Sequence, residues 1–305
     1  MAGMSTPPFG RVLTAMVTPF AADGSVDLDA AAGLAGYLVD QLGNDGLVIS
    51  GTTGESPTTS DAEKADLLRV VLDAVGDRAT ILAGVGTFNT EHSLDLAATA
   101  AKLGAHGLLV VTPYYSKPPQ AGILEHFRQV ADATEVPVLV YDIPGRAAVA
   151  IATDTMLRLA EHPRIRGVKD AKGDLTASAK VIAQSELAYY AGDDAMTLPL
   201  LSVGGVGVVG TSTHFSAVGT RQMIEAYLSG DVSTALRLHQ QLLPIYTGIF
   251  ATQGCILVKA GLRLLGRDAG GLRSPLIEAT SAEIEGLRSA MAAAGLQTGE
   301  SVSTG

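Results

Sequence analysis

Tryptophan is absent from this chain of 305 residues, other aromatics are scarce at 5%, and Cys255 is the only cysteine. A lone cysteine excludes an internal disulfide and fits a reducing compartment. Surrounded by Ile256, Leu257 and Val258 with no base beside it in the sequence, it reads as a small buried apolar residue on a helix rather than as a nucleophile. With so few rings, the core must be built from Ala, Val, Leu and Ile, which suits helices packed on a buried parallel sheet.

Charge is also sparse and of one prevailing sign. Charged residues make up 17% of the chain, and 31 acids against 21 bases leave a formal charge of −10. No basic run and no aromatic-interleaved patch appears, which argues against a nucleic-acid partner. A small anionic substrate would need a local cationic pocket. The six histidines show no H-E-x-x-H or other ligand spacing, and no G-x-x-x-x-G-K-[ST] loop occurs. No metal and no cofactor are expected.

Two candidate signals are weaker than they look. Gly205-Val206-Gly207-Val208-Val209-Gly210 satisfies G-x-G-x-x-G, with Glu225 downstream, but its glycines fall inside a candidate strand instead of after one, and Glu225 lies in a helical pattern over Arg221 to Leu228. Asp193-Asp194 suggests a metal site, yet neighbouring strand residues face opposite ways and cannot easily share one ion.

Met1 to Arg11 carries two prolines and no apolar core of a secretion signal, so the cytoplasm is the expected location. Ala195 to Thr220 holds no Asp, Glu, Lys or Arg. Pro199, several glycines and His214 interrupt it, which fits a buried strand and helix better than a membrane span.

What is present is a rhythm. Short β-like runs occur at Val12 to Thr18, Gly46 to Ser50, Thr80 to Gly84, Gly107 to Thr112, Val136 to Tyr141, Arg166 to Lys169, Ala188 to Ala191 and Gly205 to Val209. Helical patterns with capping signals separate them, such as Ser60-Asp61 ahead of Ala62 to Val75 and Asn89-Thr90 ahead of Glu91 to Leu103. Eight such units predict an α/β fold, a (β/α)₈ TIM barrel over 11–230. After Ser229-Gly230-Asp231 only helical patterns follow, at Val232 to Phe250, Ala251 to Leu265 and Ser281 to Ala294. They predict a C-terminal helical appendage over 231–295, with tails at 1–10 and 296–305.

In a barrel the reactive groups gather where strands end, and the polar surprises fall there. Lys169 closes the apolar run Ile165-Arg166-Gly167-Val168. Alone it could snorkel to solvent; in a dry site it could lose its proton and attack a carbonyl. Lowering its pKa from about 10.4 to about 7 takes roughly 4 to 5 kcal/mol of differential solvation. Gly51-Thr52-Thr53-Gly54-Glu55-Ser56 could be a plain turn or a loop whose N–H groups and hydroxyls hold an anion. Tyr141 reads as a core aromatic or a proton carrier, and Arg146 as a loop charge or a fork for a carboxylate.

These residues resemble the dihydrodipicolinate synthase and N-acetylneuraminate lyase superfamily of Schiff-base barrels. The motifs are Gly51 to Ser56, Thr112-Pro113-Tyr114-Tyr115, Tyr141-Asp142-Ile143-Pro144-Gly145-Arg146 and Gly167-Val168-Lys169-Asp170. The resemblance implies that Lys169 forms an imine with pyruvate and that Tyr141 shuttles protons through Thr52 and Tyr115. Tyr115 would enter from a neighbouring subunit of a homotetramer built as a dimer of dimers. Thr53, Arg146 and the backbone around Gly192 and Val209 would hold substrate carboxylates. Arg146 resembles the synthase branch, whose second substrate is aspartate semialdehyde in lysine and diaminopimelate biosynthesis; the alternative is a pyruvate-dependent aldolase acting on a keto-deoxy sugar acid or sialic acid.

Some positions depart from the family pattern. Asp142 stands where asparagine is commoner and would add charge near Tyr141. The run Val208 to His214 also differs, which leaves the far wall of the pocket open. At the family's lysine-feedback site Ser56 and Tyr114 match, but Pro57, Asp61, Lys64, Phe88 and His92 do not, which predicts weak or absent inhibition by lysine.

Overall fold

The computed structural model describes residues 7–296. Eight parallel strands close into a barrel in sequence order: β1 (Val12–Ala15), β2 (Gly46–Ile49), β3 (Thr80–Gly84), β4 (Gly107–Val111), β5 (Val138–Asp142), β6 (Ile165–Asp170), β7 (Ala188–Ala191) and β8 (Gly207–Gly210). All eight strand expectations correspond to a strand. Several are a residue or more shorter than the expected runs, and β1 and β5 show local reasons. Past Ala15 the Met16 N–H still donates to the Val48 carbonyl of β2, and β1 ends there because the Val17 N–H turns to His214 Nε2 at 3.2 Å. β5 starts after Pro137, which has no N–H to give to a ladder.

The alternation of side chains sorts each strand into two cores. Leu13, Val48, Leu82, Leu109, Leu139, Tyr141, Tyr190 and Val209 fill the barrel interior. Their neighbours Val12, Leu47, Ile81, Leu108, Val140, Val168 and Val208 face the surrounding helices. Because both faces are apolar, the strands read as continuous hydrophobic runs. Phe9, in the stretch 1–10 expected as a tail, is 1% exposed and packs inside the barrel, and its N–H donates to the Tyr190 hydroxyl at 3.3 Å. Burying that ring stabilises the fold by roughly 2 to 3 kcal/mol. Residues 1–6 and 297–305, parts of the two expected tails, lie outside the described residues.

Helices follow the capping signals. Ser60 and Glu63 form a reciprocal capping box at Asp61–Val75, and Asn89 caps Thr90–Leu103. The glycines of the G-x-G-x-x-G match serve packing: a Cβ on Gly207 would lie 2.0 Å from the Arg11 carbonyl oxygen where β8 meets β1. The helix carrying Glu225 starts at Thr213, not Arg221, and runs to Leu228. The last three helices are Val232–Gly248, Gly254–Leu264 and Ser281–Ala293. No helix among the described residues is long and apolar enough to cross a membrane.

The C-terminal segment is tied back to the barrel mouth by one buried cluster. Lys259 Nζ lies 2.8 Å from Glu55 Oε1 and donates to the Gly271 carbonyl at 2.6 Å. The Arg273 N–H donates to Glu55 Oε2 at 3.0 Å, and its guanidinium pairs with Glu63. Glu55 itself sits in the left-handed region, at φ 55. That conformation costs on the order of 1 to 3 kcal/mol for a residue with a side chain, and the cluster holds it in place.

Candidate active site

Parallel pairing sets the geometry. Tyr141 on β5 is in register with Lys169 on β6, and Lys169 with Tyr190 on β7. Paired residues point the same way, so Lys169 and Tyr141 both enter the barrel at its C-terminal end. Lys169 is 4% exposed, and its Nζ stands 4.3 Å from the Tyr141 ring centroid. Burial lowers its pKa to about 8; Asp194 opposes that shift and Arg146 adds to it. At neutral pH about a tenth of such amines are unprotonated, against fewer than one in a thousand for a free lysine. Tyr141 is shifted the opposite way. Burial raises its phenol to about 12, with Arg146 and hydrogen bonding from Thr52 pulling it down, so it stays a proton donor.

Two adjoining cavities meet here. One, of about 60 Å³, is lined by Lys169, Thr53, Gly192, Thr211 and Cys255 among others. The other, of about 300 Å³, extends from Gly51 and Thr52 past Tyr114 to Pro275 and Leu276. Thr52, Tyr141, Ile143, Arg146 and Gln253 line both. Arg146 is placed by a short helix, Pro144–Ala147, directly after β5. Its Nη2 donates to Gln253 Oε1 at 2.7 Å.

The structure thus brings Lys169, Tyr141, Thr52, Thr53, Arg146 and Gly192 together around one space. Thr53 Oγ1 lies 3.4 Å from Thr211 Oγ1 at the end of β8. Val209 is fully buried in the barrel interior and lines neither cavity; Thr211, two residues on along the same face, does. Tyr115 is not brought to Lys169 within one chain. It is 92% exposed with φ 72, and its neighbour Tyr114 lines the larger cavity instead.

The expectation for Asp142 is corrected. Its side chain points to the face opposite Tyr141, where it pairs with Lys172 at 3.5 Å and acts on Tyr189. Burial raises its pKa to about 6, with Lys172 opposing. Asp193 and Asp194 are likewise not on a strand; they open a short 3₁₀ turn, Asp194–Met196. Asp194 is buried and accepts from the N–H groups of Thr211 and Ser212, each at 3.0 Å. No group of three or more metal-ligating side chains occurs among the described residues.

Gln253 and Lys259 carry no signal in the sequence, and the roles of Asp194 and Glu55 differ from those their local patterns suggest, because all four act between segments distant in the chain. The absence of acids and bases across 195–220 hinted only that Asp194 borders a dry region.

Fold and site together define a class: a (β/α)₈ barrel lyase with a desolvated amine beside a phenol, suited to carbonyl chemistry. The chain belongs to the dihydrodipicolinate synthetase family, whose model matches residues 8–294. It is 67% identical over 288 residues to the 4-hydroxy-tetrahydrodipicolinate synthase of Acidothermus cellulolyticus, covering 94% of this chain and 93% of that one. It is 59% identical to 4-hydroxy-tetrahydrodipicolinate synthase 2 of Streptomyces coelicolor, over 97% and 100% of the two chains. Among solved structures, the Cyanidioschyzon merolae enzyme with lysine bound superposes with a TM-score of 0.94 at 41% identity, covering 96% of this chain and all of that one.

Proposed function

We propose that this chain condenses pyruvate with L-aspartate 4-semialdehyde to 4-hydroxy-tetrahydrodipicolinate, the step its relatives are named for, in lysine and diaminopimelate biosynthesis. The observation that carries the site assignment is the buried Lys169 amine over the Tyr141 ring. The neutral amine adds to the ketone carbon of pyruvate, and loss of water gives a protonated imine, an electron sink. Removal of a methyl proton yields an enamine, and Tyr141 carries protons to and from the site with Thr52 and Tyr115. The enamine carbon forms a bond to the aldehyde carbon, whose oxygen takes up a proton. The substrate's own amine then displaces Lys169 and closes the ring.

The two cavities divide the work by size. Pyruvate fits the smaller one, with Thr53, the backbone near Gly192 and Thr211, which stands at the wall where Val209 was expected, around its carboxylate, and the larger admits the aldehyde. Arg146, at their junction, takes the aldehyde substrate's carboxylate. Tyr115 projects from this chain and serves the relay of a neighbouring subunit, so the working unit is at least a dimer, and a homotetramer built as a dimer of dimers in the cytoplasm completes the reading. Exposure of Tyr115 supports this; one related solved structure is described as a monomeric variant, which makes the oligomeric state a direct test. The barrel over 11–230 is the catalytic domain and 231–295 a helical domain packed on it. Lysine is a weak inhibitor or none, since His92 and Asp61 at that surface are engaged with each other at 3.0 Å.

Borohydride reduction with pyruvate should leave a stable adduct on Lys169, and turnover with aspartate semialdehyde should exceed that with sialic acid or 2-keto-3-deoxygluconate. An unmodified Lys169 would sink the imine, and a preference for the sugar acids would sink the substrate assignment.

A further inference from the structure

Gln253 stands at the junction of the two cavities, on the segment that leads into helix Gly254–Leu264. Its Oε1 accepts from Arg146 Nη2 at 2.7 Å and from the Gly254 N–H at 3.2 Å. Both partners are donors only at those atoms, so the amide can face them only through its oxygen. The amino group must then point away from both. Gln253 Nε2 has no hydrogen-bond partner among the described residues, and the side chain is half-buried rather than sealed. A free donor is therefore held next to a guanidinium, where the small cavity opens into the large one.

We propose that Gln253 is a specificity-determining residue whose Oε1 locks Arg146 across the junction while its Nε2 donates to the carboxylate of the aldehyde substrate. The inference rests on the reading above that Arg146 takes this carboxylate. An amide suits the position physically. A guanidinium alone fixes one edge of a carboxylate, and a second donor at an angle to it fixes the orientation of the whole molecule. A second cation would do the same but would add positive charge near Lys169, whose amine Arg146 already disfavours in its protonated form. The neutral amide supplies a donor without that penalty. Because Gln253 belongs to the C-terminal segment, that segment takes part in choosing the second substrate.

The test uses Gln253→Glu and Gln253→Leu in the full chain. Glutamate keeps an oxygen for Arg146 and Gly254 but replaces the amino donor with an anionic oxygen facing the substrate. The KM for aspartate semialdehyde should rise about tenfold or more in Q253E, a loss on the order of 1.4 kcal/mol. Compared at a pH above the titration of Lys169, where the added charge no longer governs the fraction of neutral amine, the rate of borohydride trapping of pyruvate should change less than about twofold. Q253L, which removes both interactions, should raise the same KM and keep trapping. An unaltered aldehyde KM in Q253E overturns the proposal, as does an equal loss of trapping and aldehyde affinity in both variants, which would mark Gln253 as structural only. Arg146→Ala in the same assay separates the two levels: an unaltered aldehyde KM there breaks the Arg146 reading itself, whereas a raised KM in R146A with none in Q253E breaks only the role of Gln253.

Discussion

Lys169 and Lys259 are the same side chain at similar depth, 4% and 1% exposed, and they end in different chemistry. Lys259 is paired with Glu55 at 2.8 Å, donates to the Gly271 carbonyl and lies 4.2 Å above the Phe20 ring. Lys169 has no carboxylate within ion-pair distance among the described residues and faces the Tyr141 ring. Burial pushes both amines down; Glu55 opposes that directly at Lys259, whereas Asp194 opposes it at Lys169 against the added push of Arg146. Depth is thus not what separates a clamp from a reagent. The nearest neighbour is, because an amine in a dry site keeps its proton only where a partner repays the lost water.

The comparison breaks most sharply at Lys169 itself. Lys169→Met should lower the rate of borohydride trapping with pyruvate by at least about 10³-fold. The same variant should be more stable than the parent by about 3 kcal/mol near pH 7, since a desolvated amine is removed. The folded pKa, about 8, lies below the ordinary 10.5. The folded state therefore binds fewer protons between these values, and the parent gains stability as pH rises through that window. Urea unfolding of both proteins at pH 7 and pH 10 checks this, the gap narrowing at the higher pH; a gap independent of pH would mean that the amine is not perturbed.

At the other lysine the sign reverses. Glu55→Gln leaves Lys259 buried without its counter-charge and should cost roughly 3 to 5 kcal/mol in urea unfolding. Adding Lys259→Met to it should restore part of that loss. If the double variant is no more stable than E55Q alone, the pair is not the clamp described.

A gentler perturbation is pH. Trapping needs the neutral amine, so its rate should fall about tenfold per pH unit below about 8 and level off above it. A flat profile from pH 6 to 9 would remove the lowered pKa from the account. The smallest effect concerns Cys255, which lines the small cavity beside Lys169. Burial raises its thiol to about 11, with Glu55 adding to the shift. Iodoacetamide at pH 8 should therefore label the folded protein at least about tenfold more slowly than the unfolded chain; equal rates would show an open, ordinary thiol.

Much of this molecule was legible in the chain because barrels repeat. Each strand is apolar on both faces, so Val138–Asp142 or Ala188–Ala191 stands out against the amphipathic helices around it. Lys169 was conspicuous as a charge ending such a run. Arg146 and the Gly51 to Ser56 loop followed from their positions just past strand ends. Asp142 was misplaced for an equally local reason: adjacency to Tyr141 in sequence is opposition across a strand, and its carboxylate pairs with Lys172 and accepts from the Ile151 N–H.

The sequence by itself determined the eightfold alternation, the cores built without tryptophan, and the residue types at the strand ends, since periodicity and capping are short-range properties of the chain. Only the tertiary structure decided which of two buried lysines stays unpaired, that Asp194 reaches the end of β8, and that Gln253 holds Arg146 from 107 residues away. A pKa is set by what surrounds a group once water has left, and those surroundings are assembled by barrel closure from segments whose order in the chain does not reveal their contact.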